Sequence, residues 1–125
     1  MAVEGFSVEV DGDPDRVGAG PGTGSAGPAT TVVAVAGDVD LAAADTLWSV
    51  LDEYVRPGAS VVVDCSRVAF LDSMGLRTLI RAQQKADAAG ARLTLAAPSE
   101  AVLRVLTLAG VGDLFVLDRS GSGGS

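Results

Sequence analysis

The chain contains no histidine and only one cysteine, Cys65. Without histidine, no serine or cysteine can work within a Ser-His-Asp or Cys-His arrangement, and the commonest metal ligand is missing. A single cysteine can form neither an intrachain disulfide nor a zinc site, and it fits a reducing compartment. We therefore expect a cytoplasmic protein that has no resident metal or cofactor.

Positive charge and long apolar runs are also scarce. The net charge is −7, whereas binding to nucleic-acid phosphates requires clustered lysine and arginine. No apolar run approaches the ~20 residues that cross a bilayer, and the N-terminus has neither the basic region nor the apolar segment of a signal peptide. We expect no direct binding to nucleic acid and no association with a membrane.

The composition is that of one globular domain. Of 125 residues, 48% are hydrophobic and 20% charged, but only 4% are aromatic, so valine, leucine and alanine must form the core. The domain is predicted to cover residues 1–120, including a long loop rich in glycine and proline at 11–29. The tail at 121–125 resembles a flexible linker.

The hydrophobic pattern predicts an α/β fold. Strand patterns occur at 6–10, 30–37, 60–66, 92–97 and 113–117. Helical spacing occurs over Leu41–Val55, Met74–Ala89 and Ser99–Ala109. This order predicts a mixed, mostly parallel sheet of about five strands packed with three main helices, with an antiparallel edge near the N-terminus. The β-branched run at 60–66 predicts a strand covered on both faces. The expected core residues are Val33, Val62, Leu79, Leu95 and Leu106.

An acid and a hydroxyl stand where one of these strands meets a helix. In the stretch AFLDSMGL, residues 69–76, Asp72 and Ser73 separate a strand ending near Leu71 from a helix starting near Met74. The presence of either residue is accounted for if it is the N-cap of the helix. A phosphate on Ser73 would instead face unpaired N–H groups and the positive end of the helix dipole. Both interpretations stay open at this point.

Three further residues are candidates beside this stretch. Gly75 is either a position of close approach or a glycine tolerated in a first helical turn. Asp38 and Asp40 follow the strand at 30–37 and are either turn and cap acids or a pair that holds a cation or steers a partner. Together with Asp72 they are also the acids that a small nucleotide hydrolase would use, although the chain lacks a phosphate-binding loop.

Three segments resemble one known family. They are LDSMGL at 71–76, GDVD at 37–40 and PSEAVLRVLTLAGV at 98–111. The resemblance is to the STAS domain of bacterial anti-sigma factor antagonists, and it covers about residues 31–117. LDSMGL is similar to the family's Asp-Ser-[Ser/Thr]-Gly-[Leu/Ile] signature, but Met74 stands where the family usually has serine or threonine.

The resemblance implies a domain that is not an enzyme. In its unphosphorylated form it would bind an anti-sigma factor, itself a serine kinase with a GHKL-type ATP site, and free the sigma factor. The kinase would phosphorylate Ser73, and a metal-dependent serine phosphatase would reset the switch. Asp40 falls on a family acid near the phosphorylated serine. The residues expected to contact the partner are Asp38, Asp40, Asp72, Ser73, Met74 and Gly75.

A second function is compatible with the same resemblance. STAS domains also serve as interaction modules that need no phosphorylation, for instance as an accessory subunit of a lipid-transport or stressosome-type assembly. The sequence does not decide between the two functions, and it leaves the oligomeric state open.

Overall fold

The computed structural model describes residues 2–3, 5–11 and 30–118. The strands are β1 (Ala2–Val3), β2 (Phe6–Asp11), β3 (Thr30–Val39), β4 (Ser60–Leu71), β5 (Arg92–Ala96) and β6 (Val116–Asp118). The helices are α1 (Leu41–Tyr54), α2 (Ser73–Ala89) and α3 (Glu100–Ala109), with a 3-10 turn at Gly112–Leu114. The predicted α/β fold with three main helices is confirmed.

The strands form one sheet in the order β1-β2-β3-β4-β5-β6. β1, β2 and β3 pair antiparallel, whereas β3 to β6 pair parallel. The predicted antiparallel edge near the N-terminus is therefore correct. The sheet has one strand more than expected, because the two-residue β1 is too short to show a hydrophobic period.

All three helices cover the same face of the sheet. Strands β3 to β6 lie side by side in chain order, and right-handed crossovers between them place every connecting helix on one side. The core fills the space between this face and the helices. Four of the five predicted core residues are buried there: Val33, Leu79, Leu95 and Leu106.

The prediction that Val62 is buried is wrong. Its neighbours Val61 and Val63 are fully buried, whereas Val62 is only half-buried. Side chains alternate along a strand, so Val62 points to the face opposite the helices. For the same reason the predicted covering of this strand on both faces is wrong. Cys65 lies on the core side as expected, and burial, with a smaller contribution from Asp64, raises the pKa of its thiol from 9.0 to about 12.

Several element boundaries differ from the prediction, and the two largest differences are in β4 and β6. β4 continues to Leu71 through two register shifts against β3. The strand predicted at 113–117 begins as the 3-10 turn, because the Leu114 N–H donates to the Val111 carbonyl and only β6 pairs with the sheet. Most of the predicted loop at 11–29 and the whole tail at 121–125 lie outside the described residues, although Asp11 itself ends β2. No helix in the described ranges has the length and hydropathy needed to span a membrane.

Candidate functional site

Two strand-to-helix junctions lie next to each other at the carboxyl edge of the sheet. Val39, the last residue of β3, pairs with Leu71, the last residue of β4. The Asp72 N–H donates to the Val39 carbonyl oxygen at 3.2 Å, which joins the two junctions directly. The sheet therefore brings Asp40 and Asp72 to the same edge, where α/β proteins place ligands.

Each junction uses an aspartate as the N-cap of the helix that follows. Asp40 Oδ1 accepts a hydrogen bond from the Ala43 N–H at 3.1 Å. Asp72 Oδ1 accepts from the N–H groups of Met74 and Gly75, both at 2.9 Å. The sequence left two residues as candidate caps of α2, and the structure assigns that role to Asp72.

Ser73 is the first residue of α2, and it is exposed. Its hydroxyl makes no hydrogen bond to any residue in the described part of the chain, so it has no part in capping. The prediction that a phosphate there would face unpaired N–H groups needs correction, because Asp72 already occupies two of them. A phosphate on Ser73 would lie beside that carboxylate and project outward as added negative charge.

Gly75 is a position of close approach. A Cβ atom at Gly75 would lie 2.5 Å from the carbonyl oxygen of Val39 and 2.7 Å from Leu71 Cδ1. Such distances cannot be accommodated without moving the strand or the helix. The group that needs this space is the protein's own strand β3, and the buried Gly75 acts by letting α2 begin close to it.

Asp38 is exposed at the same edge and is held by its backbone. Its N–H donates to the Gly5 carbonyl oxygen at 2.7 Å. The preceding Gly37 has φ of +90°, and a Cβ atom there would lie 2.1 Å from the same oxygen. The turn before β2 thus fixes the GDVD segment, which explains why that segment requires glycine.

Two exposed apolar side chains lie at the two junctions, one near the end of β4 and one at the start of α1, and the sequence analysis missed both. Phe70 is 51% exposed and Leu41 is 66% exposed. Strand alternation provided a signal, because the burial of Leu71 forces Phe70 to the other face. We call the surface formed by Asp38, Leu41, Phe70, Ser73 and Met74 the Ser73 edge. It combines apolar area, a free hydroxyl and negative charge, a composition suited to binding another protein.

The acids at this edge do not assemble into a metal site. No group of three or more histidine, cysteine, aspartate or glutamate residues lies within metal-binding reach in the described ranges. Asp40 and Asp72 are engaged in capping, and Asp38 is exposed. The arrangement therefore gives no support to the hydrolase interpretation of these three acids.

A family model described as "Mlab, STAS domain" matches residues 24–118. The match covers most of the chain and includes both junctions. The chain belongs to the STAS domain family. Among curated protein sequences, none matches the chain significantly.

Solved structures share the fold. An anti-sigma factor antagonist from Mycobacterium paratuberculosis is 23% identical, with a TM-score of 0.70, over 94% of this chain and 88% of that one. The anti-sigma factor antagonist SpoIIAA in its unphosphorylated form is 21% identical, with a TM-score of 0.59, over 70% and 78%. The Bacillus cell fate determinant SpoIIAA in its phosphorylated form is 22% identical, with a TM-score of 0.56, over 70% and 81%.

Proposed function

We propose that the chain is a cytoplasmic anti-sigma factor antagonist, switched off by phosphorylation of Ser73. The observation that carries the proposal is the division of roles at the start of α2: Asp72 caps the helix, and Ser73 presents an exposed hydroxyl with no structural partner among the described residues. Similar folds belong to anti-sigma factor antagonists, one of which exists in unphosphorylated and phosphorylated forms.

The unphosphorylated Ser73 edge has the means to bind an anti-sigma factor. Phe70 and Leu41 offer exposed apolar surface, which anchors protein interfaces when it enters a pocket of the partner. Asp38 adds negative charge beside them and favours a partner with a basic patch. The bound chain would displace the sigma factor from the anti-sigma factor.

Phosphorylation would reverse the binding by electrostatics and desolvation. A phosphate adds nearly two negative charges and a large hydrated group to Ser73. The carboxylate of Asp72 lies on the adjacent residue, and its cap bonds hold it there. Burying this combined charge in an interface without a matching arginine costs several kcal/mol. The fold itself would tolerate the phosphate because Ser73 is exposed.

The chain is a ligand and a substrate in this scheme and catalyses nothing itself. The anti-sigma factor is a serine kinase with a GHKL-type ATP site, which phosphorylates the antagonist that binds it. A metal-dependent serine phosphatase removes the phosphate and restores binding. These partners follow from the family resemblance, and the exposure of Ser73 is what both enzymes require.

Intact mass spectrometry tests the modification. Incubation with a GHKL-type serine kinase from the same organism, ATP and Mg²⁺ should add about 80 Da, the mass of one phosphate. Ser73→Ala should abolish the gain, whereas Ser49→Ala, at an exposed serine on the outside of α1, should retain it. No gain in the wild type, or an undiminished gain in Ser73→Ala, would contradict the proposal.

A second function, a STAS module that binds its partner without phosphorylation, is favoured by two observations. Met74 occupies the position where the family signature has serine or threonine, and the matching family model carries the name Mlab. In a lipid-transport or stressosome-type assembly the same edge would bind constitutively. A transporter operon around the gene, with no GHKL kinase nearby, would favour this function over the switch.

A further inference from the structure

The positively charged residues of α2 form a row that begins one turn after Ser73. Arg77, Arg81 and Lys85 follow Ser73 at intervals of four residues. Residues four apart are neighbours on the surface of a helix, so each side chain of the row lies beside the next. In a chain with a net charge of −7, this row begins at the residue that we propose to be phosphorylated.

Two of these three residues already have partners. The guanidinium carbon of Arg81 lies 4.1 Å from the centre of the Trp48 ring, and Lys85 Nζ forms an ion pair with Asp52. Arg77 is exposed, and within the described ranges it makes no hydrogen bond, ion pair or ring contact. The guanidinium of Arg77 is therefore available to a group that arrives at the start of α2.

Helix geometry places Arg77 within reach of Ser73. The Cβ atoms of residues four apart are about 5–6 Å from each other. Side chains in an α-helix lean towards its N-terminus, so a long side chain at position 77 extends over the turn that carries Ser73. An anion four residues before a cation is also the more favourable order of the two charges on a helix.

The corresponding residue of α1 has the opposite charge. α1 begins at Leu41, and the residue four positions later is Asp45, which is exposed like Arg77. Both helices form, so neither charge is needed to start a helix at this edge of the sheet. The arginine occurs in the helix that begins with a serine, where its charge complements a phosphate.

We propose that a phosphate on Ser73 is held by Arg77 in an ion pair across the first turn of α2. The inference rests on the proposed phosphorylation of Ser73 and names the residue that receives the phosphate. A guanidinium can donate two parallel N–H bonds to two phosphate oxygens. The pair offsets about one of the nearly two added charges, so negative charge remains beside Asp72 and phosphorylation still weakens partner binding. A phosphatase must break the pair before it reaches the phosphate, which prolongs the phosphorylated state.

Phosphoserine incorporated at position 73 of the full chain during translation tests the pair without any kinase. The second ionisation of the phosphate, which occurs near pH ~6, is followed by ³¹P NMR. The pKa of this phosphate should be lower with Arg77 present than in Arg77→Gln, because the guanidinium favours the doubly charged form. Alkaline phosphatase should remove the phosphate about threefold faster from Arg77→Gln. Equal pKa values or equal rates in the two proteins would overturn the proposal.

Matched variants separate the pair from net charge. Arg92→Gln removes the same charge from an exposed residue at the start of β5, at the opposite edge of the sheet, and should change neither the pKa nor the rate. Arg77→Lys keeps the charge and should retain most of the lowering of the pKa. A change in Arg92→Gln as large as that in Arg77→Gln, or an Arg77→Lys protein that behaves like Arg77→Gln, would contradict a specific pair.

A measurement on the protein with its own Arg77 keeps the test decisive if a substitution disturbs α2. The Nε–H resonance of Arg77 should move as the phosphate on Ser73 titrates, whereas that of Arg92 should not. An Arg77 resonance that does not follow the phosphate would overturn the pair and leave the proposed switch untouched. A kinase that fails to modify Ser73 would contradict the switch and leave these results intact.

Discussion

The two junctions at the carboxyl edge share the same kind of cap and differ in the first residues of the helix that follows it. In both, a buried strand ends, an aspartate caps the next helix, and the first turn begins at once. The first helical residue is Leu41 in α1 and Ser73 in α2. The third is Ala43 in α1 and Gly75 in α2.

The comparison distinguishes the residues that form the junction from the residue that is exposed to a partner. Asp40 and Asp72 initiate their helices in the same way, so capping accounts for both acids. Gly75 is required because α2 begins against the Val39 carbonyl, whereas the equivalent position of α1 already holds the Cβ atom of Ala43. The hydroxyl of Ser73 has neither role. The hydroxyl is therefore not needed to form the junction, and in the proposed switch it is the group that is phosphorylated.

The largest expected effect is at Gly75. Gly75→Ala places a methyl group 2.5 Å from a backbone oxygen and should lower the free energy of unfolding by about 3 kcal/mol. The matched change Ala43→Gly should cost about 1 kcal/mol, through helix propensity and lost packing. Urea unfolding followed by the fluorescence of the single tryptophan, Trp48, measures both. Equal losses of unfolding free energy in the two variants would show that the close approach of α2 to β3 does not restrict the residue at position 75.

The two caps should differ by a smaller amount. Asp72 accepts two N–H groups and Asp40 accepts one. Asp72→Ala should therefore cost about 2 kcal/mol and Asp40→Ala about 1 kcal/mol. The asparagine variants, which keep an acceptor oxygen, should recover most of each loss. A larger loss for Asp40 would contradict the assignment of the caps.

The smallest expected effect is the difference in unfolding free energy between alanine variants of two serines at helix N-termini. Ser99 caps α3 by accepting from the Val102 N–H, and its hydroxyl donates to the Val68 carbonyl at 2.8 Å. Ser99→Ala should cost about 1 to 2 kcal/mol. Ser73→Ala should cost less than about 0.5 kcal/mol, as expected for an exposed side chain without partners. A cost for Ser73→Ala as large as that for Ser99→Ala would return Ser73 to a structural role.

The order of elements could be predicted because each carries its own pattern. Leu51, Leu79 and Leu106 lie on the apolar stripes of their helices, and alternating strands and helices dictate a parallel sheet. The family signature also identified the junction at residues 71–76. These signals are local, and they account for the order of the elements.

Other features depend on neighbours far along the chain. A β-branched run does not tell which faces of its strand are covered, and Val62 was misplaced because every crossover lies on one side. The choice of Asp72 over Ser73 as cap rests on side-chain geometry that either residue could adopt. The close approach at Gly75 involves Val39, which is 36 residues earlier and is brought there by strand pairing.

The most direct test of the proposed switch is the affinity of the kinase partner for the unmodified and the phosphorylated states of Ser73. The partner is titrated at matched ionic strength, without nucleotide, into unmodified protein, protein phosphorylated on Ser73, and Ser73→Asp. Phosphorylation should weaken binding by about a hundredfold or more, and Ser73→Asp should also weaken binding while folding as stably as the wild type. Equal affinities for the unmodified and phosphorylated proteins would contradict the proposed switch.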